Sequence, residues 1–189
     1  MKQDKTAQLE KTVNGVAVDK LVTTVDAIKE DPSIAEFRFR AKNRWLDGSL
    51  NRTEIKEFYG AGQEDTARVT SFVLTNDEAP VLLGADKGPN PVEYLLNALA
   101  GCMTTTMVYH AAAKGIDIQE IESELEGELD LRGFLKLDPT VRQGFRNVTV
   151  KFKVKSSASP ELLKELAESS PVYDMVCNPV PVRLTVEKK

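Results

Sequence analysis

The chain has 189 residues, with 25 basic against 29 acidic ones, and its net charge of −4 argues against a nucleic-acid partner. Two cysteines and one histidine are too few for a disulfide framework or a zinc set, so neither a metal nor a cofactor is expected. The length suits one full domain plus an extension, drawn here as residues 1–34 and 35–189. Residues 1–12 alternate polar and charged groups without an apolar core or a cleavage site; no secretory signal is read, and the cytoplasm is the default location.

Val18, Leu21, Val22, Val25 and Ile28 recur at helical spacing before Asp31-Pro32, which predicts an amphipathic helix in the extension. Phe37, Phe39 and Ala41 alternate with Arg38, Arg40 and Lys42 up to Trp45, which predicts one strand. It turns at Leu46-Asp47-Gly48-Ser49 into a second strand near Thr53 to Phe58. Gly60 to Ala67 reads as a loop, and Ser71 to Leu74 as a short strand.

A helix of roughly 23 residues follows, with Asn90 as cap, Pro91 in its first position and Gly115 at its end. Only Glu93 and Lys114 are charged in it, so it belongs in a core; Asn97, the run Thr104 to Thr106 and His110 argue against a membrane span, and no membrane partner is expected. Ala98, Gly101, Cys102 and Thr105, with Ala112 further on, form a stripe of small residues. Such a stripe lets a second helix come close, and the chain has few other strong helices, which points to a symmetry mate.

Beyond it, Ile121 to Leu131 alternates with acids and Val148 to Val154 with lysines, predicting a hairpin with opposite charges across the ladder. Its connection, Gly133 to Gly144, is expected to be mobile. Ser159-Pro160 opens a shorter helix to about Ser169, and Val180, Val182, Leu184 and Val186 predict a last strand.

This order, with GPNPVEYLLNALAGC in the long helix and SSPVYDMVCNPVPVRLTV at the end, resembles the OsmC/Ohr family of thiol-dependent hydroperoxide reductases over roughly residues 35–187. The resemblance implies an α+β fold of antiparallel sheets around a long buried helix, an intertwined homodimer, and a site at its interface. It implies that Cys102 is the peroxidatic cysteine, reducing organic hydroperoxides with an external thiol as reductant. An ordinary thiol, with a pKa of about 8.5, is only a few per cent thiolate at neutral pH. Cys102 also lies about three turns into its helix, too deep for the helix dipole alone.

In the family an arginine of the first hairpin supplies the cation, and Arg52 matches it best, with Arg44 as the fallback. The family's arginine is held by an acid just before the helix; here Val92 follows Pro91 and only Glu93 remains. Glu93 has two readings: a capping box with Asn90, and an added role in orienting Arg52. The resolving cysteine of the family precedes a Pro-Val pair, where this chain has Ser170, and Cys177 comes seven residues later, read as a buried small hydrophobe. His110 reads as a core or interface residue, and Tyr94, Met103, Met107 and Tyr109 as core, with a share in an apolar pocket. The alternative function is a non-catalytic dimer that binds an apolar small molecule in the interface pocket.

Overall fold

The computed structural model describes residues 12–188, so the first eleven residues of the predicted extension lie outside it. A small hairpin, β1 (Thr12–Val13) and β2 (Val16–Ala17), turns on Asn14-Gly15, both at positive φ, as a two-residue hairpin requires. The predicted amphipathic helix is α1 (Val18–Glu30), and none of its residues is buried.

The strand predicted over Phe37 to Trp45 divides into β3 (Arg38–Phe39) and β4 (Lys42–Asp47), which serve different sheets. β4 pairs with β5 (Leu50–Ile55), which pairs in turn with β8 (Phe72–Asn76). β3 pairs with β6 (Phe58–Gly60), and β6 with β7 (Gln63–Asp65). The segment Gly60 to Ala67, expected as a loop, therefore holds a hairpin, turned on Ala61-Gly62.

The long helix is α2 (Pro91–Ala113), 23 residues. Asn90 and Glu93 cap it reciprocally: the Asn90 N–H donates to Glu93 Oε2 at 2.8 Å and the Glu93 N–H to Asn90 Oδ1 at 2.9 Å. At its other end Gly115 takes a φ of +70°, and the Gly115 and Ile116 amides bond back to the Ala112 and Ala111 carbonyls, closing a Schellman motif.

β9 (Ile118–Glu128) and β10 (Asn147–Ser156) form the expected hairpin, with Glu120, Glu122 and Glu124 opposite Lys155, Lys153 and Lys151. The connection between them, expected to be mobile, contains local structure. It holds α3 (Leu131–Phe134), capped by Asp130, and backbone bonds from Leu137 to Arg132 and from Val141 to Asp138. α4 (Pro160–Glu168) starts at Ser159 as predicted, and a helix the sequence reading missed, α5 (Pro171–Cys177), starts at Ser170. Ser170-Pro171 is the same cap-and-proline signal as Ser159-Pro160.

The predicted last strand is not paired: residues 179–188 have no sheet partner among the described residues, and Val182, Leu184 and Val186 are at least 80% exposed. Alternation marks a strand but does not supply a neighbour for it.

By its contacts the chain divides into two compact units, the first essentially residues 17–95 and the second residues 96–188 with the segment Thr12–Val16. The second has a core in which Leu99, Met103, Met107 and Ala111, at i, i+4 spacing on α2, meet Leu163, Leu166 and Ala167 of α4 under the inner face of β9 and β10. In the first unit Asp77, 2% exposed, gathers Ser49 Oγ at 2.6 Å and the amides of Glu78, Ala85 and Lys87. These bonds, led by that from Ser49, hold the Asp77 carboxyl below its ordinary pKa.

Candidate functional site around Cys102

With Leu99, Met103 and Met107 turned into the core, the 100° step per residue puts Ala98, Gly101, Thr105 and Tyr109 on the other side of α2. These four are exposed, and Cys102 is half-buried among them. A Cβ built on Gly101 meets no atom within 4 Å, so the small-residue stripe is open. Ala112 does not extend it, being 1% exposed at the end of the helix. His110 is exposed, and Tyr109, expected in the core, is 50% exposed.

Arg52 lies on β5 of the first unit, exposed, and directly opposite Arg44 on β4. Glu93 is on the first turn of α2, where Oε2 serves the cap; nine residues separate it from Cys102, about 13 Å along the helix. Ser170 is fully buried and its Oγ accepts from the Tyr173 amide, capping α5.

Cys177, expected to be buried, is exposed at the end of α5. The reason is local. A seven-residue helix interposed before the terminal segment carries the thiol to its last turn, one turn beyond Tyr173. The Tyr173 phenol donates to Glu168 at 3.3 Å, and the neighbouring Cys177 thiol, with Glu168 second to it, pushes the phenol pKa up.

Beside α4 the second unit has a half-open cavity of about 670 Å³, lined by Met103, Met107, Val150, Phe152, Leu163 and Ala167, with Lys164, Glu168 and Tyr173 also on its wall. Met103 and Met107 thus pack the core and line a pocket together. Cys102 is not among its lining residues.

The sequence pattern of the OsmC-like protein family matches residues 84–185, more than half of the chain. The chain belongs to the OsmC-like family. Its α+β fold of helices and antiparallel sheets agrees with solved structures. An OsmC-like protein from Mycoplasma pneumoniae matches with a TM-score of 0.55 at 18% identity, over 75% of this chain and 89% of that one. A candidate osmotic-stress-induced detoxification response protein from Psychrobacter arcticus matches with a TM-score of 0.52 at 16% identity, over 71% and 85%. An OsmC-like protein of unknown function from Vibrio cholerae matches with 0.50 at 11%, over 72% and 92%. Identities this low carry the fold alone. No curated protein matches the chain. No helix among the described residues is long and apolar enough to cross a membrane.

Proposed function

We propose that this OsmC-like protein reduces organic hydroperoxides through Cys102, at the interface of a homodimer in the cytoplasm. The observation that carries the reading is the open face of α2, where a half-buried thiol stands among Ala98, Gly101 and Thr105 on a helix whose other side is core. Among the described residues the first unit has no buried apolar residue, and the terminal segment from Val180 to Val186 has strand alternation without a strand to pair with. Among the described residues β10 is bonded only to β9, which leaves one of its edges open. A second copy would cover all three surfaces.

In the reaction, the Cys102 thiolate attacks the terminal oxygen of the hydroperoxide. The O–O bond breaks, the alkoxide takes a proton and leaves as the alcohol, and Cys102 becomes a sulfenic acid. An external thiol then displaces water from that sulfur, and a second thiol frees Cys102 with formation of the external disulfide. Arg52 supplies the positive charge that favours the thiolate; Glu93, which serves the cap and makes no ion pair with Arg52 within the single chain, orients Arg52 once a second copy is in place.

Dimedone trapping after one equivalent of organic hydroperoxide should label Cys102, and Arg52→Met should slow labelling at least tenfold. Absence of label on Cys102 sinks the proposal; full-rate labelling in the variant transfers the cation's role away from Arg52. A second reading, binding of an apolar small molecule, is favoured by the cavity in the second unit. Native mass spectrometry of the purified protein tests it, since a bound apolar molecule without peroxide turnover would select it.

A further inference from the structure

In the sheet β4–β5–β8, Arg44 stands directly opposite Arg52, and Arg52 directly opposite Thr75. Cross-strand partners project from one face with Cβ atoms roughly 4.5–5.5 Å apart, so two guanidinium groups and a hydroxyl form a single row across three strands. Like charges set opposite each other weaken a ladder. Elsewhere the chain avoids this arrangement. Arg40 makes two bonds to Glu64, at 2.7 and 2.8 Å, Arg132 holds Asp130, and β9 and β10 set acid against base.

Arg44 and Arg52 are both exposed, and within the single chain their guanidinium groups have no ion pair or hydrogen bond among the described residues. The next pair along the same face is Lys42 opposite Glu54, and on the other side, across the bulge, Asp47 stands opposite Leu50, so the carboxylates of this face lie in the neighbouring rows. The other face of these strands is uncharged where Asn43 bonds to Asn51 and Thr53. The positive charge is therefore confined to one side, and the row of Arg44, Arg52 and Thr75 lacks an anion.

We propose that this row is an oxyanion site that takes a carboxylate or a phosphate group. Each guanidinium offers a planar fork of N–H donors suited to two oxygens of one anion, and the Thr75 hydroxyl adds a donor at the end of the row. The anion would convert a repulsive pair into a bridged one, which accounts for two facing arginines in an exposed hairpin. The site follows from sheet register and holds whether or not Cys102 is reactive. Combined with the peroxide reading, on which this second step rests, it divides the labour: Arg52 serves the thiolate as well as the anion, and Arg44 holds the acidic end of the substrate.

The test is titration of the full chain with inorganic phosphate at fixed ionic strength in chloride, read by melting temperature and by the fluorescence of Trp45, the single tryptophan and the neighbour of Arg44. Phosphate should raise the melting temperature saturably. Arg44→Gln and Arg52→Gln should each weaken phosphate affinity at least tenfold, while melting no lower than the parent chain in phosphate-free buffer because the repulsion is relieved. A rise of equal size in the parent chain and both variants, or one that never saturates, is a general salt effect and overturns the site.

Kinetics identify the source of the anion. If Arg44→Gln raises KM at least tenfold for a carboxylate-bearing hydroperoxide and leaves it unchanged for a neutral one, the anion is the head of the substrate. Equal KM for both, with phosphate binding present, makes it a free ion. Phosphate binding without any hydroperoxide turnover would sink the peroxidase reading and leave the oxyanion site standing.

Discussion

The two units reach order by different means. Among the described residues, the buried apolar ones, Leu99, Met103, Met107, Ala111, Ala112, Leu163, Leu166 and Ala167, all fall in the second, and none falls in the first. The first is instead held by polar and aromatic contacts: the Asp77 hub, the Arg40–Glu64 pair, and Phe37, Phe39 and Phe58 with ring centroids 5.5–6.2 Å apart. Hydrogen bonds contribute little net stability against water, whereas burial of large apolar side chains is the main favourable contribution to folding. A segment with many of the former and only half-buried apolar side chains such as Leu50, Ile55, Phe58 and Leu74 has a thinner core, and Phe39, Val69 and Phe72 lie exposed on it.

The largest expected effect comes from cutting the second unit's core. Met107 is 1% exposed, so Met107→Ala should cost about 2–5 kcal/mol in denaturant unfolding, the lost transfer energy plus a cavity. Val22 on α1 is 51% exposed, and Val22→Ala should stay within about 0.5 kcal/mol. A large loss at Val22 would mean that α1 is covered in solution, and the contrast between the units would weaken.

Gly101→Leu comes next and separates one copy from two. In a single chain the position is open, and replacing a helical glycine should stabilise by up to about 1 kcal/mol. Against a closely packed second helix the same side chain overpacks the contact, with a loss of about 1–3 kcal/mol and dissociation. Sizing and melting together decide, and a more stable variant of unchanged mass would remove the central-helix interface.

These contrasts also show what could be read from the residues. The bounds of α2 were legible because Asn90, Pro91 and Gly115 act locally, and the β9–β10 hairpin because its charges alternate in opposite senses. The division of Phe37 to Trp45 into β3 and β4 was not legible, since both halves alternate alike and only their partners differ. The order of the Gly133 to Gly144 connection rests on backbone bonds within the turn, to which composition is blind. α5 carries a usable signal in Ser170-Pro171, the same cap and proline that open α4, and with it the exposure of Cys177. At the site, Cys102 and its small neighbours were visible from spacing. That Arg44 and Arg52 face each other depends on register across the Gly48 turn, which one strand's sequence does not specify.

Ser170→Cys should have a smaller effect on stability and a distinct effect on chemistry. Ser170 caps α5, so the substitution should cost about 1 kcal/mol. After hydroperoxide the parent chain should accumulate Cys102 sulfenic acid and pass on to sulfinic acid with excess oxidant, whereas the variant should close a disulfide and resist that overoxidation. Rapid formation of a Cys102 to Cys177 bond in the parent chain would make Cys177 the resolving thiol in its place.

The smallest effect is one of pH, and it returns to the two units. Asp77 in the first and Asp130 in the second both have lowered pKa values, Asp130 to about 2 because Arg132 bonds its carboxylate. A carboxyl group bound more weakly to protons when folded contributes stability above its ordinary pKa, near 3.8 here, and loses it as pH falls through the folded value. Between pH 5 and pH 2 the melting temperature should therefore fall, and Asp77→Asn or Asp130→Asn should each flatten part of that fall. Amide exchange assigns the parts. The Ala85 and Lys87 amides report on Asp77, and the Arg132 amide on Asp130. With only hydrogen bonds behind them, Ala85 and Lys87 should lose protection in acid while the amides of α2 from Leu99 to Ala111, which rest on packing, keep theirs. Simultaneous loss in both sets of amides would overturn the contrast between hydrogen-bonded and packed order.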